Sequence, residues 1–220
     1  MTYTLLVNLK SYRAATDTST STIVDALSDA STPDNVRLVT AVNPVDLRLA
    51  RSADHDVFAQ HVDPASYGSH TGHVIPESAS KLGAEGTLVN HSECQRPLEV
   101  IEATVDHAQD TGLETIVCAP SPEDIKDVAG FQPDFAAVEP PELIGGDTSV
   151  SAAQPAVISD SVAAASYHEV PVLCGAGVKT AEDVSRAVDL GAQGILVASG
   201  VVKAPDPTRA VEELARGFTV

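Results

Sequence analysis

A carboxylate at the end of an apolar run is the group best placed to do chemistry in this sequence. Phe135-Ala136-Ala137-Val138 reads as a short buried strand, and Glu139 follows it at once. Next come Pro140-Pro141-Glu142-Leu143 and Ile144-Gly145-Gly146. The strand would fix Glu139, the prolines would stiffen the chain beyond it, and the glycines would let the following segment move as a lid. Two further polar sets stand where an apolar run gives way to a loop: Asn8-Leu9-Lys10 and Asn90-His91-Ser92-Glu93. Together the three supply one candidate base, one imidazole and one ammonium. Each alone also has an ordinary reading, with Glu139 as a rim carboxylate paired to a lysine and His91 as a solvated histidine. Lys10 is harder to set aside, because it is one of only five lysines in the chain. Two turns of small residues complete the set: Cys174-Gly175-Ala176-Gly177-Val178 and Ala198-Ser199-Gly200. Small side chains let backbone N–H groups close on an anion, and a helix N-terminus adds a favourable dipole.

The elements that must position these groups are strands alternating with helices. Short β-rich runs are expected at 4–8, 36–42, 57–60, 86–90, 115–118, 135–139, 170–174 and 194–198. Most are continuously apolar rather than alternating, as strands covered on both faces are. Helical patterns lie between them at 20–31, at 97–110 (with Leu98, Ile101, Val105 and Ala108 on one face), and from 207 to about 218. Thr180-Ala181-Glu182-Asp183 opens another, running to 189, with the signature of a capping box. Eight alternations predict an α/β fold, a (β/α)8 barrel forming one compact domain over residues 1–220. A doubly wound sheet is the alternative, but no strand–G-x-G-x-x-G–helix unit is present. In such a barrel the active groups sit at the C-terminal strand ends. Those ends carry Asn8 and Lys10, Gln60, Asn90 and His91, Cys118, Glu139, and the two glycine turns. Turns of that kind after the seventh and eighth strands make the recurrent phosphate site of this architecture. The Gly/Ser/Pro/His-rich stretch at 63–80 is the one long irregular segment, a feature usually tied to function or to an interface.

Composition narrows the partners. The 220 residues are 43% apolar, with 31 acidic and 13 basic side chains for a net charge of −18, and the acids are scattered along the chain. A scattered acidic coat repels nucleic acid and anionic membranes, so neither is expected as a partner. It would also repel an anionic substrate unless salt screens it, and at molar salt the screening length is about 3 Å. Abundant Asp, scarce Lys and a single Met resemble the cytoplasmic proteins of salt-loving microbes. No apolar run reaches the roughly 18–20 residues of a membrane span, and the start of the chain reads as a strand rather than a signal peptide. A cytoplasmic protein is therefore expected. Cys94, Cys118 and Cys174 are unpaired by spacing and read as free thiols. His70-Thr71-Gly72-His73 is too little for a metal site, and no metal or other cofactor is expected.

At this point the residues resemble the triosephosphate isomerase family, in its shorter archaeal type. The resemblance covers nearly the whole chain. It rests on Asn8-Leu9-Lys10, Asn90-His91-Ser92-Glu93, Val138-Glu139-Pro140-Pro141-Glu142-Leu143-Ile144-Gly145, Cys174-Gly175-Ala176-Gly177 and Val197-Ala198-Ser199-Gly200, in order. It implies a TIM barrel that interconverts D-glyceraldehyde 3-phosphate and dihydroxyacetone phosphate through an enediolate. Glu139 would be the base, and neutral His91 would polarise the carbonyl; the family is itself the standard illustration of that pairing. Lys10, steered by Asn8, would stabilise the enediolate, and Glu93 would hold the Lys10 ammonium or its loop from behind. Gly177, Ala198 and Ser199 would bind phosphate, joined by Ile144 and Gly145 of the lid. The resemblance further implies a homo-oligomer, a tetramer ahead of a dimer, in which Ser69-His70-Thr71-Gly72-His73 enters a neighbouring subunit. One departure stands out: family lids end Ile-Gly-Thr-Gly, whereas Ile144-Gly145 is followed here by Gly146-Asp147. Two rival readings remain at this stage. A different phosphate-binding barrel enzyme would need a strand lysine or a His/Asp metal set; a non-catalytic descendant would have no use for the base.

Overall fold

The computed structural model describes residues 2–143 and 149–219. Eight parallel strands close into a barrel in sequence order. They are β1 (Tyr3–Asn8), β2 (Val36–Val42), β3 (Asp56–Ala59), β4 (Gly86–Val89), β5 (Glu114–Ala119), β6 (Phe135–Val138), β7 (Val172–Cys174) and β8 (Gly194–Val197). Pairing of β1 with β8, Leu5 opposite Ile195, seals the ring. Gly194 is required at that seam, because a Cβ there would sit 2.0 Å from the Thr4 carbonyl oxygen.

The helices around the barrel are α1 (Ser19–Ser28), α2 (Pro76–Lys81), α3 (Leu98–Asp110), α4 (Pro122–Ala129), α5 (Val150–Ala153), α6 (Pro155–Ser166), α7 (Ala181–Asp189), α8 (Ser199–Val202) and α9 (Pro207–Ala215). The barrel expected from the sequence is therefore the fold observed. Differences fall at element ends and have local causes. β7 begins at Val172 because Pro171 has no N–H to give the ladder. β4 stops at Val89 because Asn90 turns to φ 59. The stretch at 63–80 is irregular only as far as Ile75; Pro76, with its φ preset, starts α2. On α3, Ile101, Val105 and Ala108 are buried as expected, but Leu98 is 48% exposed, since it begins the helix before that face meets the barrel.

The strands alternate between two buried faces. Leu6, Val39, Phe58, Leu88, Ile116, Cys118, Ala137, Leu173 and Leu196 point inward and fill the barrel. Their neighbours, such as Leu5, Val7, Val89, Val117 and Val138, point outward under the helices. Each fully buried aliphatic side chain contributes about 1.5–3 kcal/mol, so both faces are tightly specified. The alternation also decides what reaches the mouth. Two residues beyond an inward position is inward again, which brings Asn8, Gln60, Asn90, Glu139, Gly175 and Ala198 to the C-terminal rim.

Candidate active site

Glu139 follows Val138 directly, and its N–H donates to the Ala119 carbonyl oxygen (2.9 Å), so the backbone is still held by the barrel. The side chain is only 3% exposed. Burial pushes its pKa from 4.5 up to about 7, against hydrogen bonding from Cys118, the nearby Lys10 charge and the Ser92 backbone. Cys118, on the neighbouring strand, is itself buried, and burial together with the Glu139 charge holds its thiol well above the usual range. Gly175 forms the other wall: a Cβ there would meet Glu139 Cγ at 2.5 Å. The carboxylate is thus confined between a thiol and a glycine.

His91 leaves β4 just after Asn90, whose left-handed backbone turns the chain inward. Asn90 is held on both sides: its amide donates to the Cys118 carbonyl oxygen (2.9 Å) and its Oδ1 accepts the Arg96 N–H (2.8 Å). The His91 ring is oriented by the Glu93 N–H, which donates to Nδ1 at 3.2 Å. Nδ1 is therefore the acceptor, and the proton of the neutral ring lies on Nε2. Burial, and then the Lys10 charge, bring the His91 pKa from 6.5 down to about 4. The imidazole is neutral at pH 7. Nε2 lies 3.6 Å from Glu139 Oε1, and among the described residues neither His91 Nε2 nor Glu139 Oε2 has a hydrogen-bond partner although both are buried. Two orphaned polar atoms on neighbouring buried groups need an explanation that packing does not give.

Lys10 adopts φ 49, which a lysine accepts only when its surroundings impose it. Three contacts do so. Its N–H donates to Asn8 Oδ1 (3.0 Å), its carbonyl oxygen accepts the Gln60 amide (3.0 Å), and its Nζ donates to Glu93 Oε1 (2.9 Å). The side chain is largely buried, and Nζ is aimed into the mouth beside Glu139 and His91.

The mouth holds two adjoining hollows. One, of about 230 Å³, runs from Lys10, Glu93 and Glu139 to Gly175, Gly177, Val178 and Lys179 on one side and Ala198, Ser199 and Gly200 on the other. Ser199 opens α8, so its first-turn N–H groups are the ones a helix leaves unpaired. Gly177 has φ 70, in the region glycine adopts without strain. The second hollow, of about 590 Å³, lies on the other side of Lys10 and is lined by Asn8, Gln60, His91, Val45 and Cys94 among others. The mouth does not share the acidic excess of the whole chain, because two lysines there match Glu93 and Glu139. Lys10 and Lys179 line it, and Lys203 stacks its Nζ 4.2 Å from the Tyr12 ring at its edge.

The structure thus brings together Asn8, Lys10, His91, Glu93, Glu139, Gly177, Ala198 and Ser199. Ile144 and Gly145, and the Gly146-Asp147 departure beside them, lie outside the described residues. Cys118 and Gln60 emerge as neighbours of the reactive groups, placed by the sequence at strand ends without a task; Gly175, expected only as part of a phosphate turn, also walls Glu139. The three cysteines are free, with Cys94 exposed and the other two buried. Among the described residues no group of three or more His, Cys, Asp or Glu side chains could hold a metal ion, and no helix is long and apolar enough to cross a membrane.

A closed eight-stranded parallel barrel with a carboxylate, a neutral imidazole and an ammonium converging at its C-terminal mouth, beside two glycine turns, defines a (β/α)8-barrel enzyme. The sequence profile of the triosephosphate isomerase family matches residues 3–215. A triosephosphate isomerase of Thermoplasma volcanium is 44% identical over 198 residues, covering 90% of this chain and 92% of the relative. One from Methanocaldococcus jannaschii is 41% identical over 198 residues, covering 89% and 90%, and one from Methanosarcina mazei is 42% identical over 215 residues, covering 96% and 97%. The chain belongs to the triosephosphate isomerase family, and its reaction is the interconversion of glyceraldehyde 3-phosphate and dihydroxyacetone phosphate.

Proposed function

We propose that Glu139 is the base of this isomerisation, with His91 and Lys10 as its partners. The Glu139 carboxylate takes a proton from the carbon beside the carbonyl, leaving an enediolate. The resulting carboxylic acid returns the proton to the neighbouring carbon. His91 donates its Nε2 proton toward the carbonyl oxygen and passes protons between the two oxygens; Lys10 Nζ stabilises the negative charge as it forms. The observation that carries this reading is the close approach of two buried groups with unpartnered atoms: His91 Nε2 lies 3.6 Å from the Glu139 carboxylate, and Lys10 lines both the hollow walled by Glu139 and the one walled by His91. A Glu pKa near 7 suits a base working at neutral pH, and an imidazole pKa near 4 suits a neutral proton donor.

Asn8 and Glu93 position Lys10. Gly177, Ala198 and Ser199 offer backbone N–H groups to the phosphate, and Ile144 and Gly145 join them by resemblance. The chain works as one domain, 1–220, in the cytoplasm, as a homo-oligomer, a tetramer by its likeness to archaeal relatives or else a dimer. The second hollow supports the oligomer: its Val45 wall is 83% exposed next to Lys10, a surface suited to the 69–73 loop of a neighbouring copy. The excess of 31 acidic over 13 basic residues supports operation at high salt.

The test is turnover of glyceraldehyde 3-phosphate by the purified protein at low salt and in molar KCl, with Glu139→Asp alongside. The shorter side chain withdraws the carboxylate by more than 1 Å, so a loss of at least about 100-fold is expected. Folded protein with no turnover in either buffer, or an Asp variant as active as the parent, contradicts the assignment.

A further inference from the structure

The wall of the smaller hollow at 175–179 contains two glycines, one of them at φ 70. Such a turn has little rigidity of its own, because glycine restricts the backbone least. Donors to a phosphate nevertheless have to be fixed in direction. What fixes them lies behind the wall, outside the hollow.

Asp183 is at the third position of α7, where it completes a capping box with Thr180. Its Oδ2 accepts the N–H groups of Lys179 (3.1 Å) and Thr180 (3.1 Å) and the Thr180 hydroxyl (2.9 Å). A helix cap needs no more than that. Its other oxygen, Oδ1, accepts the Ser149 hydroxyl at 2.5 Å, and its backbone carbonyl accepts the Ser151 hydroxyl at 3.1 Å. Ser149 and Ser151 are both 4% exposed, and Val150 between them donates its N–H to the Ala176 carbonyl oxygen (3.1 Å). The segment at 149–151 is therefore bonded to the turn at Ala176 and to Asp183 behind it. Burial alone would raise the Asp183 pKa, but the donors from Ser149, Lys179 and Thr180 outweigh it and hold the carboxyl below its ordinary value.

We propose that Asp183 is a positioning residue for phosphate binding: by joining Ser149 and Ser151 to the Lys179-Thr180 backbone it holds the glycine turn at 175–179 in the geometry that receives the substrate phosphate. The proposal rests on the reading of Gly177, Ala198 and Ser199 as phosphate donors. It gives the cap carboxylate a second task. Asp183 touches no substrate atom, and it acts only through the turn.

Two affinities and two rates separate this role from a merely structural one. For Asp183→Ala, the KM for glyceraldehyde 3-phosphate and the inhibition constant of inorganic phosphate should rise together by about tenfold, the worth of one charge-assisted hydrogen bond. The kcat should stay within about threefold, and turnover of unphosphorylated glyceraldehyde should not change, since Gly175, the wall beside Glu139, stays bonded through its own N–H to the Val138 carbonyl oxygen (3.0 Å). Asp206→Ala is the control, because Asp206 caps α9 by accepting the Arg209 N–H and α9 lines neither hollow. It should leave both constants at their parent values. If Asp183→Ala does not fold, Asp183→Asn and Ser149→Ala each remove part of the same network and should raise both constants about threefold. Unchanged KM and phosphate inhibition in these variants, or a parallel loss of glyceraldehyde turnover, overturns the proposal. Failure of inorganic phosphate to compete with substrate in the parent protein overturns instead the reading of the donors on which it rests.

Discussion

Adding one methyl group at Gly175 should disable the enzyme without unfolding it. The glycine backbone is not left-handed there, so alanine is conformationally acceptable and the effect comes from contact alone. The new Cβ would lie 2.5 Å from Glu139 Cγ, 3.2 Å from the Val138 carbonyl oxygen and 3.3 Å from Glu139 Cδ. Carbon atoms rest at about 3.5–4.0 Å, so Cγ has to retreat by about 1 Å. The barrel wall cannot move to spare it, because Val138 is paired with Cys174 across β6 and β7. A misplacement of about 1 Å at a reacting group costs on the order of 100-fold, and overpacking of this kind costs about 1–3 kcal/mol of stability. Gly175→Ala should therefore lower kcat/KM about 100-fold while the protein still unfolds cooperatively, at a urea midpoint reduced by that amount. The assay is isomerisation kinetics beside urea denaturation on the same preparation. A folded variant with kcat/KM within threefold of the parent refutes the view that Gly175 and Glu139 share one confined space.

Two further predictions concern protons. With unphosphorylated glyceraldehyde as substrate, so that no substrate phosphate titrates, kcat/KM should rise tenfold per pH unit up to about 7 and then level off, reporting Glu139 alone. His91, at about 4, should add no limb above that pH, and a single limb near 4.5 contradicts the buried base. Glu139 should also destabilise the protein at high pH. Its pKa is raised on folding, so the stability it contributes is full below 4.5 and is lost as pH rises through 7, a change of about 3 kcal/mol. Glu139→Gln carries no charge at any pH and should be more stable than the parent at pH 8 by up to that amount, the gap closing toward pH 4.5. A gap in urea stability that is the same at both pH values rules this out.

Much of the arrangement is legible in the sequence because it follows from short-range rules. Continuous apolar runs such as 36–42 mark strands covered on both faces, and eight of them alternating with helices leave little but a barrel. Inward–outward alternation then carries Asn8, Asn90 and Glu139 to the rim, since each stands two places beyond an inward side chain. What is not legible depends on contacts between distant segments. Cys118 reads as one more apolar strand residue until the pairing of β5 with β6 sets it opposite Ala137, below Glu139. Asp183 reads as a helix cap, and its bond to Ser149 spans 34 positions that no local pattern connects. The left-handed backbone at Lys10 and Asn90 is hidden for the same reason: it is imposed by Gln60, Glu93 and Cys118, each on a different strand or loop.

The most direct measurement of the central claim is exchange of carbon-bound hydrogen with solvent. The protein is incubated with dihydroxyacetone phosphate in deuterium oxide, and deuterium at the carbon next to the carbonyl is followed by NMR, for the parent and for Glu139→Gln. If Glu139 is the base, the parent incorporates deuterium as it isomerises, because the proton held on the carboxyl can exchange before it returns. The folded Gln variant should then show neither isomerisation nor exchange above background. Exchange persisting in Glu139→Gln at a rate near that of the parent would place the base elsewhere and contradict the mechanism.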